Sequence, residues 1–133
     1  GLCDLAVGNT YYMGAMLKNP EQKVWADAVK ILFPNAADRG THVNISGMAL
    51  AANPPNRDNA VKLMEFLVSP EAQALYASTN NEYPAVPGTK ASALVESWPA
   101  LKPDPMPLSD IAKYRAKASE LVDKVKFDLG PQP

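Results

Sequence analysis

Two adjacent phenols, Tyr11 and Tyr12, are the residues of this 133-residue chain whose type and spacing point most directly to chemistry. They stand in the stretch Asn9-Thr10-Tyr11-Tyr12, just past a short apolar run and just ahead of a helix-compatible segment. The junction of a strand end with a helix start is where α/β proteins gather ligands. A helix start also offers unpaired N–H groups and a partial positive charge, which favour phenolate over phenol. Ionising two neighbouring tyrosines at neutral pH costs several kcal/mol together, because a free phenol titrates near pH 10. Only a strongly polarising cation offsets that. Ferric iron is such a cation, being hard, trivalent and matched to anionic oxygen donors. The competing reading is packing. Adjacent side chains point about 100° apart on a helix and oppositely on a strand, so the phenols converge only if the backbone bends where they lie. The residues alone leave both readings open.

Other chemistry is sparse. The sequence holds no G-x-G-x-x-G, no P-loop, no H-E-x-x-H and no G-x-S-x-G. With one histidine, any His-based dyad rests on His42, which reads as a hydrogen-bonded structural residue at the entry to a strand. Cys3, inside an apolar run, reads as a small core residue, and a single thiol builds neither an internal disulfide nor a cysteine metal site. The carboxylates are scattered over polar helix faces, without the paired spacing of acid–base catalysis. Tyr114 falls in an apolar helical stripe and reads as core, Tyr76 ends a short helix, and Tyr83 anchors a loop before Pro84.

The elements that must position these groups follow from composition and punctuation. With 47% hydrophobic residues, the chain can bury one ordinary core. Thirteen basic and fourteen acidic side chains leave a net charge of −1, which gives no footprint for nucleic acid. No apolar run approaches the roughly 20 residues that span a bilayer. The first residues already read as a strand, without initiator methionine or signal peptide, so the chain is expected to start inside a larger protein. Thirteen prolines, about twice ordinary usage, divide the rest. Leu2 to Val7, Val29 to Phe33 and Val43 to Ala51 read as strands. Helices are expected from Asn9 or Thr10 to about Leu17, and from Asn19-Pro20 to about Ala28. Asn56 caps a third whose apolar face is Ala60, Val61, Met64, Leu67 and Val68, and Ser69-Pro70-Glu71 opens a fourth to about Ala77. Ser109 caps a last helix carrying Ile111, Tyr114, Ala118, Leu121, Val122 and Val125. Short strands alternating with helices argue an α/β fold.

Four motifs in order, GNTYYMGAML, FPN…RGTHVNISGMALA, NAVKLMEFLVSPEAQALYA and NNEYPAVPG, closely resemble the bacterial ferric-iron-binding proteins. These are transferrin-like periplasmic solute-binding components of iron ABC transporters, and the resemblance runs along essentially the whole chain. It implies the C-terminal part, somewhat under half, of a two-lobed periplasmic-binding-protein type II fold. It places Tyr11 and Tyr12 on the family's iron-binding tyrosine pair, with Fe3+ as ligand. Asn9 matches a position that in some members helps bind a synergistic anion such as phosphate or carbonate. By the same analogy residues 1–40 are a second-lobe segment carrying the tyrosines, residues 41–88 a crossover and first-lobe segment, and residues 89–133 second-lobe C-terminal helices. His42 matches the crossover motif, near residues 39–46, and no ligand position.

The implied action is binding, not catalysis. Phenolates of one lobe and ligands of the other would capture iron, and closure would present a surface to an inner-membrane permease. The implied compartment is the periplasm, or a lipid-anchored extracytoplasmic position in a Gram-positive host. The first-lobe ligands and most of the anion loop would belong to the missing N-terminal portion, so two tyrosines alone should hold iron poorly. The alternative is a solute-binding protein of the same fold that holds an oxyanion or a small organic ligand between the tyrosines.

Overall fold

Two of the helices begin at a serine whose hydroxyl caps the first turn. The computed structural model describes residues 4–130, which leaves Cys3 outside. Helix α1 (Thr10–Lys18) follows Asn9, whose backbone is still extended. Expected from Asn19, the second helix instead starts after a turn in which the Asn19 side chain accepts from the Glu21 N–H, so α2 spans only Lys23–Asp27. Helix α3 (Arg57–Leu67) follows Asn56, and α4 (Pro70–Asn80) opens as expected, with the Ser69 hydroxyl accepting from the Ala72 N–H. Helix α4 stops at Asn81, in the left-handed conformation at φ 59°. A short helix, α5 (Ala93–Glu96), is capped by Ser92. Four residues show no periodicity, which is why it is not legible in the sequence. The single last helix expected from Ser109 is two, α6 (Leu108–Lys113) and α7 (Arg115–Lys124), separated at Tyr114. A 3-10 turn, Phe127–Leu129, follows.

The strand expectations fail locally. Among the described residues no strand forms, and the single β-contact is a parallel bridge between Thr41 and Pro103. A strand is a pairing, not a property of one segment. Among the described residues the segments 29–33 and 43–51 find no strand partner, and several of their apolar side chains stay open to solvent, Leu32 at 76% and Ile45 at 55%.

What does pack is small. Ala26, Ala72, Ala77 and Val95 are the buried apolar residues. Helix α1 crosses α4 at Gly14, where a Cβ would lie 2.5 Å from the Asn81 side chain, so only glycine permits the approach. Lys18 of α1 donates at 2.6 Å to the Ser78 carbonyl, near the negative end of α4. Residues 39–41 are tied to 102–104 by two backbone hydrogen bonds, Thr41 N–H to the Lys102 carbonyl and Asp104 N–H to the Thr41 carbonyl, both 2.8 Å. The Thr41 hydroxyl donates to the Pro34 carbonyl, and Arg39 pairs with Asp104 at 3.6 Å. Gly40 makes this approach possible at φ 105°, because a Cβ there would meet the Pro103 carbonyl at 2.7 Å.

Candidate metal centre

Both tyrosines lie in the first turn of α1, so the backbone does not bend between them as the sequence reading required. Their rings nevertheless come together, with centroids 4.4 Å apart and planes at 52°. Helical side chains lean toward the N-terminus, and at the first turn no preceding turn stands in their way, so long neighbours can fold onto one another. Tyr12 is 57% exposed. Asn9 completes the cluster: its amide Nδ2 donates to the Tyr11 hydroxyl at 3.0 Å. The three candidate residues of the sequence are therefore brought together at one exposed helix end. The link from Asn9 to Tyr11 itself was not legible, since an asparagine before a helix reads first as a cap.

The proximity shows in the electrostatics. The Tyr12 phenol is held above its ordinary range, first by its hydrogen bond with Tyr11, then by charge repulsion from Tyr11, and last by desolvation. Two phenolates so close repel, and a cation between them is what would reverse the balance. Hydroxyl oxygens as hard donors at a helix N-terminus suit a hard, highly charged ion. Among the described residues no three His, Cys, Asp or Glu side chains gather into an alternative site.

The remaining candidates lie elsewhere. His42 is exposed, and among the described residues its side chain finds no hydrogen-bond partner, where the sequence suggested a hydrogen-bonded structural residue. Tyr114 is 54% exposed, not core, and Leu121 and Val125 of the same stripe are each 58% exposed. Tyr83 does anchor its loop, against Trp98 with ring centroids 6.4 Å apart, and burial raises its phenol above the ordinary range. Two surface depressions, one lined by Ala15, Lys18, Asn19, Pro20 and Glu21, the other by Val122, Asp123, Lys126 and Leu129, include none of the cluster.

Residues 7–103 match the model of a family described as bacterial extracellular solute-binding protein. The chain belongs to that family. Relatives are informative about the branch. Iron uptake protein A1 of a Synechocystis strain is 42% identical over 126 residues, which are 93% of this chain and 35% of that protein. Among solved structures, the ferric binding protein of Bordetella is 53% identical at a TM-score of 0.81, covering 95% of this chain and 41% of the other. Ferric iron-binding protein A of Mannheimia haemolytica, in an open conformation, is 50% identical at a TM-score of 0.86, covering 95% and 40%. This chain thus spans about two-fifths, or less, of the length of these relatives. It carries part of a periplasmic-binding-protein type II fold, and the α/β character expected of it is the character of that whole fold. Its family binds solutes and is extracellular by description.

Proposed function

We propose that this chain supplies the tyrosine half of a ferric-iron site in the solute-binding component of an iron ABC transporter. Tyr11 and Tyr12 bind Fe3+ as phenolates, and further ligands come from the polypeptide that precedes the corresponding region in the longer relatives. Asn9 stands where a synergistic phosphate or carbonate would complete the coordination. Residues 1–40 and 89–133 belong to the lobe that carries the tyrosines, and residues 41–88 cross to the other. Closure of the lobes presents the loaded protein to a permease in the inner membrane, with the periplasm as its compartment. The role is capture and release, without turnover.

The observation that carries this reading is the convergence of two phenols on an exposed helix start, with ring centroids 4.4 Å apart. The iron-binding names of the relatives support the identity of the ion. Ferric phenolate is coloured, so ferric citrate added to the full-length protein develops a visible charge-transfer band. Tyr11→Phe combined with Tyr12→Phe abolishes it. A colourless titration, or a band untouched by the double substitution, refutes the reading. Protection against unfolding by phosphate or an organic ligand, but not by iron, would point to the alternative solute.

A further inference from the structure

Asparagine is among the most favoured N-cap residues, and there its side-chain oxygen accepts from an N–H of the first turn. Asn9 occupies that position before α1, yet its side chain makes no capping bond. Its amide is turned outward and donates at 3.0 Å to the Tyr11 hydroxyl two residues on. The first turn is held instead by the backbone, with the Tyr12 N–H donating to the Asn9 carbonyl at 3.2 Å. A phenol oxygen has two acceptor positions, and this amide takes one of them on Tyr11. Tyr12 takes no bond from the Asn9 amide among the described residues; its phenol is hydrogen-bonded to Tyr11 instead and is more than half exposed. The two phenols are therefore unequal.

We infer that Asn9 is a positioning residue for Tyr11: its amide fixes the Tyr11 oxygen as the preset donor of the pair, while Tyr12 is held only through Tyr11 itself. The inference rests on the iron reading above and adds to it a role for Asn9 exerted through the protein's own phenol. A hydrogen bond to a metal-bound phenolate lowers its filled orbitals, so charge transfer to the metal takes more energy. Loss of that bond moves the band to longer wavelength.

The test uses the full-length protein with Asn9→Ala and with Asn9→Asp, the second keeping shape and capping capacity while replacing the donor by an acceptor. In the metal-free protein, the NMR resonance of isotope-labelled Tyr11 moves in both variants and that of Tyr114 does not. With ferric iron, the charge-transfer band shifts to longer wavelength in both, equally in carbonate and in phosphate. An unmoved Tyr11 resonance, or an unmoved band, overturns the inference. A shift seen with one anion only also overturns it, because Asn9 then acts through that anion. A wild-type protein without a band refutes the iron reading, and with it the inference as a statement about iron. That outcome is distinguishable, because the metal-free resonances still report whether Asn9 holds Tyr11.

Discussion

Tyr11 sits close enough to raise the Tyr12 phenol, and neither ring is buried away from water. On the proposed role each is a ligand in its own right. Either Tyr→Phe change alone is expected to lower iron affinity by at least about 10–100-fold, the cost of losing even a supporting outer group at a metal site. Competition with a chelator of known affinity measures it, and an unchanged affinity for either variant removes that tyrosine from the ligand set. Tyr83 offers a pH test away from the metal. Burial raises its phenol, so the folded state prefers the neutral form more than the unfolded state does. Its stabilising contribution is fully present below the ordinary phenol value and is lost as pH rises through the raised folded value. Stability against denaturant in the full-length protein should therefore fall at strongly alkaline pH, and less steeply in Tyr83→Phe, which keeps the ring against Trp98. At this scale residue types were legible and geometry was not. The sequence shows a pair of phenols and an asparagine, but the rotamers that close the rings on one another, and turn Asn9 from cap to donor, are set by the local three-dimensional surroundings.

The starts of α1, α3 and α4 were legible because their signals are local. Ser69-Pro70 names both the cap and the first turn of α4, and the structure shows the hydroxyl accepting from the Ala72 N–H at 3.2 Å. Ser69→Ala should destabilise the full-length protein by about 1 kcal/mol, as measured by denaturant unfolding. Strands were not legible in the same way, because the apolar runs at 29–33 and 43–51 state a tendency that only a partner realises. The crossing of α1 over α4 is the clearest contact between elements that sequence periodicity could not foresee. Gly14 is the hint, a glycine inside a helix, and Asn81 is what it makes room for. Gly14→Ala gains helix propensity of about 1 kcal/mol yet drives a methyl against the Asn81 side chain. The Asn81 side chain is buried and has no room to retreat, so overpacking of about 1–3 kcal/mol should win and the variant should be less stable. Equal or greater stability in Gly14→Ala would show that α1 does not approach α4 this closely.

For the whole molecule the dominant fact is exposed apolar surface. A compact protein of 14.3 kDa has about 6,800 Å² of accessible surface, whereas this chain presents 10827 Å². Val7, Leu32, Val24 and Trp25 are all open, and the buried apolar set holds three alanines and one valine. A polypeptide of these 133 residues alone should bind hydrophobic dyes and melt without a cooperative transition. The full-length protein should melt sharply, and at a higher temperature with ferric iron bound. A sharp calorimetric transition from the 133 residues by themselves would contradict this. The central claim is tested most directly by diffraction at the iron absorption edge from crystals of the iron-loaded full-length protein. The anomalous peak should lie within bonding distance of both the Tyr11 and Tyr12 phenol oxygens. A peak away from them, with the two phenols still hydrogen-bonded to each other, would contradict the assignment.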